Sequence, residues 1–294
     1  MTFTKTDFLD FLTEQFPFNQ LPREACERIS NQLQPLRYKM GQTLALRERM
    51  PTEVQIIYQG QVRLLGYEAK TQMPTTLELA STGKMIGWVG LVRGTPCETA
   101  IASEESICLS LKAEEFWEIY QQYDQFREAL EQQCSAIEAF TLLSYEQERQ
   151  PHGGIDLKTV AQASLTSAIV QTLPTGEINL TDLPTDHPLK DEQKLWLVSG
   201  GNFPIGSRLE LAENTVLTIK GKSARLVGFD KTKLPWFHPQ TTNGNQTETT
   251  EKATSTTVAE GVDIPDAPSV IPGTDDFEEE GRDIGGGGRK YPYV

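Results

Sequence analysis

The feature that most limits how this chain can fold is a change in the spacing of its apolar residues at Gly41. Before that point the period is helical: Phe8, Leu9, Phe11, Leu12 and Phe16 recur at three- and four-residue steps. After a break at Pro17, a second helix is expected from Leu21-Pro22, with proline in its first turn and Ala25, Ile29 and Leu33 on its inner face. From Gly41 the period falls toward two. Leu44/Leu46, Val54, Ile56/Ile57, Val62/Leu64 and Leu77/Leu79 form short groups bounded by Gly, Pro or Lys-rich turns. Alternating side chains bury one face of a sheet only if that sheet closes over a core, so about eight short strands in about 70 residues predict a small antiparallel barrel or jelly roll.

Helical spacing returns from Leu111 to Leu143. Glu114 and Glu115 stand in a first turn, where they complement the helix dipole, and Phe126, Leu130, Cys134, Ile137 and Phe140 form the stripe of a longer helix. Two helices are therefore expected to close the barrel. The polar loop from Gln147 to Gly154 marks a boundary, and beyond it Ile155 to Leu173 reads as an amphipathic helix carrying Val160, Ala161, Leu165, Ala168, Ile169 and Leu173. LWLV (195–198), TVLTIKG (215–221) and SARLVGF (223–229) read as strands, whereas GGNFPIGS (200–207) lacks the GK[ST] ending of a P-loop and reads as a turn. The expected class is α+β. Residues 1–148 form an antiparallel β-roll flanked by N- and C-terminal helices, 155–236 a smaller α+β unit, and 237–294 a disordered acidic tail.

Charge is concentrated in that tail. Pro239 to Gly288 holds 11 acidic side chains against Lys252 and Arg282, which leaves only −5 of the net −14 for the rest of the chain. So polar a stretch cannot offset its ordering entropy by burial. The closing RKYPYV is abruptly basic and aromatic, and reads either as the approach to a further domain or a partner's groove, or as a frayed end. No Lys/Arg-rich run offers the basic face that duplex DNA binding requires. No apolar run approaches the roughly 20 residues that span a bilayer, and MTFTKTDFLDFL carries acids where an export signal needs bases. A cytoplasmic chain without membrane insertion is expected.

Catalytic and metal chemistry find little support. Cys26, Cys97, Cys108 and Cys134 lie far apart without a CxxC pair, and His152, His187 and His238 form no ligand spacing, so no metal site is expected. The acid runs Glu114/Glu115 and Glu278 to Glu280 fall in an exposed helical turn and in the tail, where nothing holds a carboxylate rigidly enough for proton transfer. No enzymatic activity is expected.

The most specific stretch is IGWVGLVRGTPCETAIA (86–102). A short helix opening at Gly87 presents free backbone N–H groups, and glycine lets the backbone approach an anion closely. Together with FPFNQLPREACERISNQLQPLRYKMGQTL, IIYQGQVRLLGY and LASTGKMIGWVGLV, in that order, it resembles the cyclic-nucleotide-binding domains of the catabolite-activator and protein-kinase-A type over roughly Phe16 to Leu143. The resemblance implies a phosphate-binding cassette made of Gly87, Trp88, Val89, Gly90, Leu91, Arg93, Cys97, Glu98 and Thr99. In that family an acid after the first glycine bonds the ribose and an arginine after the proline pairs with the phosphate. Trp88 and Cys97 stand in those places here.

Losing a buried charge-assisted phosphate contact costs on the order of 2–5 kcal/mol, or about two to three decades in affinity. The resemblance thus implies impaired binding of cyclic AMP and cyclic GMP, with a cyclic nucleotide a doubtful cofactor and Glu98 a further repulsion for phosphate. Arg93, Arg47, Arg49 and Arg63 are each either a replacement cation or a solvated surface charge. Trp88 is either a core aromatic that fills the ribose space or a stacking platform, and Cys97, near a helix N-terminus, is a candidate reactive thiol, whereas Cys26, Cys108 and Cys134 read as small apolar residues.

The order of the whole chain resembles the N-terminal cytoplasmic region of large cyanobacterial ABC exporters that carry a peptidase-like domain. That implies a non-catalytic regulatory or docking front end whose partner is a membrane exporter or peptidase domain, with no nucleic-acid partner and with homodimerisation through the Phe126-to-Phe140 stripe. Two alternatives stay open. One is a catabolite-activator-type transcription regulator, with two short helices in DLKTVAQASLTSAIVQTL (156–173); the other is a sensor of a non-standard nucleotide.

Overall fold

Eight strands between Gln34 and Lys112 pair into two four-stranded antiparallel sheets in the computed structural model, which describes residues 5–150, 154–212 and 214–237. They are β1 (Gln34–Tyr38), β2 (Thr43–Ala45), β3 (Glu53–Gln59), β4 (Val62–Tyr67), β5 (Pro74–Ala80), β6 (Met85–Ile86), β7 (Thr99–Ala102) and β8 (Ser106–Lys112). One sheet has the order β1-β8-β3-β6 and the other β2-β7-β4-β5, with Ile56 opposite Leu109 and Val62 opposite Ala102. β3 breaks the simple in/out alternation, since Val54, Gln55, Ile56 and Ile57 are all buried. Both of its faces are covered. Ile57 packs with Val62, Ile86 and Cys108 inside the roll, while Val54 and Ile56 join Leu109 and Leu111 in the core shared with the helices.

Helices α1 (Lys5–Glu14) and α2 (Arg23–Gln32) precede the roll, and the cassette helix α3 (Trp88–Arg93) interrupts it. After it come α4 (Ala113–Gln122), α5 (Asp124–Glu131) and α6 (Ala136–Arg149), so the long helix expected through Phe126 and Phe140 is two helices, and three rather than two follow the roll. The break has a local cause. Ser135 Oγ accepts the Glu138 N–H at 3.1 Å, and the Glu138 carboxylate returns to the Ser135 N–H at 3.4 Å, a capping box that starts α6 afresh. Phe126 and Leu130 therefore bury from α5 and Ile137 and Phe140 from α6.

The segment after α6 departs further from expectation. Asp156 caps α7 (Leu157–Leu165), but the chain turns at Thr166 to Ala168 and Ile169 opens a strand, β9 (Ile169–Asn179). Residues 156–173 are thus one helix and the start of a strand, neither a single helix nor a pair. Tertiary pairing decides this, because Val170 and Leu173 lie opposite Val227 and Ala224 of a neighbouring strand. That strand, β12 (Val216–Asp230), joins the two expected runs into one, with a register shift between Ile219 and Ser223 that absorbs Gly221 at φ +89°. With β10 (Lys194–Gly200) and β11 (Arg208–Leu209) they form a third antiparallel sheet, β11-β10-β12-β9, and GGNFPIGS is the turn between β10 and β11.

β10 is buried on both faces. Leu195 and Leu197 enter the core that runs from Phe8 through α6, whereas Trp196 and Val198 pack with Leu173, Leu217 and Leu226. The boundary expected at 148/155 falls between α6 and α7, and a single apolar core extends across it. Residues 238–294, on which the acidic-tail reading rests, lie outside the described residues. Among the described residues no helix is long and apolar enough to cross a membrane.

Candidate functional site: a cassette held by its own carboxylate

Gly87 sits at φ +92°, and a Cβ there would come within 2.8 Å of the Glu53 carbonyl oxygen, so the residue that opens α3 has to be glycine. Its N–H donates to Glu98 Oε2 at 2.8 Å, and the Val89 and Gly90 N–H groups also favour that carboxylate's charged form. Glu98 is 3% exposed. The Gly87 amide at the start of α3 is therefore occupied by a side chain of the same chain, from the residue directly after Cys97. Burial pushes the Glu98 carboxyl up to about 7, against the opposing pull of those N–H groups and of Arg93.

A cavity of about 470 Å³ lies in front of this helix, bounded by Leu64, Glu78, Trp88, Val89 and Glu98 of the roll, by residues 133–137 at the α5/α6 break, and by Leu165 of α7. Trp88 is 5% exposed, belongs to the main apolar core and also lines this cavity. Val89, Gly90, Leu91 and Thr99 are likewise buried, and Thr99 Oγ1 accepts the Arg47 N–H at 3.3 Å. Burial pushes the Cys97 thiol up to about 12, the opposite of what a reactive thiolate needs.

None of the four arginines singled out in the sequence lines this cavity. Arg49 and Arg63 are exposed, and the Arg47 guanidinium lies 3.7 Å from the centroid of the Tyr67 ring. Arg93 is 4% exposed and turns toward the third sheet, where its Nε–H donates to the Ser199 carbonyl at 3.0 Å and lies 3.9 Å from Glu138 Oε1. The contact is intimate. A Cβ at Gly200 would come within 2.5 Å of the Arg93 carbonyl oxygen, so the end of α3 rests directly on the end of β10.

That junction contains charged groups the sequence did not single out. Glu138, fully buried, receives Arg225 through Nε at 2.7 Å and Nη2 at 3.0 Å, together with the Ser199 hydroxyl. Arg225 also donates to the Glu131 and Gln133 carbonyls at 2.8 and 2.7 Å, satisfying the free C=O groups at the end of α5. Burial pushes Glu138 up, but Arg225, Arg93 and Ser199 outweigh it and hold the carboxyl below its ordinary value. Two turns further along α6, the buried Glu146 carboxylate accepts from Arg149 at 2.8 Å and from Arg208 of β11. The one sequence signal was S-x-x-E at 135–138, which reports a helix start and says nothing of a partner about 90 residues away.

Residues 35–123 match the family model described as the cyclic nucleotide-binding domain. Among solved structures the chain is similar to the regulatory subunit of a cAMP-independent protein kinase A from Trypanosoma brucei (13% identity, TM-score 0.39, 43% of this chain and 45% of that one). It is also similar to a cyclic nucleotide-binding-like protein from Brucella abortus (18%, 0.34, 40% and 99%) and to the sensor domain of the transcriptional regulator DNR from Pseudomonas aeruginosa (13%, 0.39, 43% and 85%). The match thus spans less than half of the trypanosomal chain. No curated protein matched.

Proposed function

We propose that this chain is a non-catalytic regulatory or docking module, a cyclic-nucleotide-binding-like domain that does not take up cyclic AMP or cyclic GMP tightly. One observation carries the reading: the Glu98 carboxylate bonds the Gly87 amide at the mouth of α3. A cyclic phosphate would have to displace a buried carboxylate and then sit beside it, with Cys97 rather than a guanidinium to receive its charge. Arg93 on the third sheet adds to this, because its guanidinium is held by Ser199 and Glu138 and does not line the cavity.

The module's output, in this reading, passes from α3 and α6 to the third sheet through Arg93, Glu138 and Arg225. The order of segments supports a place at the front of an ABC-type peptide or protein exporter, with the exporter or its peptidase domain as partner.

Isothermal titration of the full chain with cyclic AMP and cyclic GMP tests the reading. No saturation is expected below about 100 micromolar, and the double variant Cys97→Arg/Glu98→Ala, which restores a cation and vacates the amides, is expected to bind at least about tenfold more tightly. Submicromolar binding by the natural sequence, or no gain in the variant, overturns it.

A further inference from the structure

A second cavity, of about 390 Å³, shares only Ile86 with the cassette cavity. Tyr38 of β1, Thr43 to Ala45 of β2, Glu53 and Gln55 of β3, and Leu46, Met50 and Pro51 of the loop between β2 and β3 wall it. It thus lies between strands of the two sheets of the roll.

Two full charges of opposite sign stand on this wall, Glu53 and Arg49. Strand parity fixes where Glu53 points. Residues 53, 55 and 57 share one face of β3, and Ile57 belongs to the interior cluster of the roll on which Tyr38 and Leu44 pack. On that face Glu53 Oε2 accepts from Gln55 Nε2 at 2.9 Å and from the Ser110 hydroxyl. Glu53 Oε1 has no hydrogen-bond partner among the described residues, and it keeps accessible surface. Burial pushes the Tyr38 phenol up, and the charges of Cys108 and of the nearby Glu53 carboxylate add to it.

Arg49 is exposed, and the acid beside it, Glu48, pairs with Arg47 at 2.8 Å instead. Among the described residues neither Arg49 nor Glu53 has an ion-pair partner, and they do not pair with each other. Between them the wall is apolar. Leu44 and Pro51 are half-buried, whereas Leu46 and Met50 are 40% and 43% exposed, more than large apolar side chains next to a cavity need be. A lone amine would meet Glu53 and be repelled by Arg49, and a lone carboxylate would meet the reverse. A molecule that carries one ammonium and one carboxylate on an apolar body answers both charges and covers the apolar wall.

We propose that this cavity binds an apolar amino acid, its ammonium donating to Glu53 Oε1, its carboxylate accepting from the Arg49 guanidinium and its side chain covering Leu46 and Met50. The molecule would rest on the segment that backs the cassette, since a Cβ at Gly87 would come within 3.3 Å of the Pro51 side chain and 2.8 Å of the Glu53 carbonyl oxygen.

Titration of the methionine-methyl-labelled full chain with L-leucine, isopentylamine and isocaproate tests this, because the last two are leucine without its carboxylate and without its amine. The Met50 methyl signal, assigned by its loss in Met50→Leu, is expected to move saturably with leucine, and the two truncated molecules to bind at least about tenfold more weakly. Glu53→Gln is expected to weaken leucine about tenfold and leave isocaproate no weaker, and Arg49→Gln, a change at an exposed position, to weaken leucine and leave isopentylamine no weaker. No saturable shift of the Met50 signal up to about 10 mM leucine overturns the proposal, as does equal binding of either truncated molecule, or an unchanged leucine affinity in folded Glu53→Gln or Arg49→Gln. None of these outcomes bears on the cassette, whose titration with cyclic nucleotides stands apart.

Discussion

Two buried carboxylates in this protein, Glu98 in the cassette and Glu138 at the junction with the third sheet, are solvated by the fold in opposite ways. Glu98 is met by backbone N–H groups, and desolvation wins: its carboxyl is pushed up to about 7. Glu138 is met by a bidentate guanidinium, a second guanidinium and a hydroxyl, and the charges win: its carboxyl is held below its ordinary value. Partial charges on amides hold a carboxylate in place without fully compensating its loss of water, whereas full charges at hydrogen-bond distance do compensate it. The cassette thus carries a reluctant anion, and the junction a committed one.

Removing the committed anion is expected to have the largest effect. Glu138→Ala leaves Arg225 and Arg93 buried without a counter-charge, which costs about 3–5 kcal/mol, and urea unfolding of the full chain should show it. A loss below about 1 kcal/mol would mean that the junction is not desolvated as the geometry requires.

The reluctant anion makes the opposite prediction. A carboxyl whose folded-state value is raised from 4.5 to about 7 contributes stability that is complete below pH 4.5 and is lost as pH rises through about 7. The span corresponds to about 3 kcal/mol. Glu98→Gln keeps an acceptor for the Gly87 amide without the charge, so this pH dependence should vanish and the variant should be the more stable chain at pH 8. A parallel pair of stability curves for the two proteins would break the contrast. Glu138 titrates with the other sign, its contribution being present above the ordinary carboxylate range and lost as pH falls through its lowered folded value.

A smaller effect sharpens the role of α6. Ser135→Ala removes the hydroxyl that caps the Glu138 N–H and should lower stability by about 1 kcal/mol in chemical unfolding. An unchanged midpoint would place the α5/α6 break under tertiary rather than local control. Smallest of all, Cys97 should resist alkylation at pH 8 in the folded chain and react only on unfolding, because its thiol lies near 12. Modification at the rate of a free thiol would show that the cassette opens.

Much of the roll could be read in advance from local chemistry. Period-two spacing between Gly, Pro and Lys-rich turns located the strands, whereas the cassette at Gly87 came from the family resemblance. Misreadings arose where local preference is weak. Ile169 to Leu173 fits either a helical or a strand face, and only its pairing with β12 makes it β9. The Phe126-to-Phe140 stripe keeps its periodicity through a capping box that starts a new helix, so spacing alone did not show the break. Glu98 was read as a repulsive neighbour of the anion site, and only the coordinates show its carboxylate on the amides themselves. Arg225 and Glu138 are 87 residues apart, and no local pattern links them.

The sequence by itself determined where the short strands of the roll fall and that no arginine follows Pro96, because each of these depends on neighbours within a few residues. Tertiary structure alone decided that a carboxylate of the same chain meets the Gly87 amide. Whether a carboxylate meets amides or guanidiniums, and hence whether it sheds or keeps its proton, is set by groups that folding brings from distant segments into a space without water.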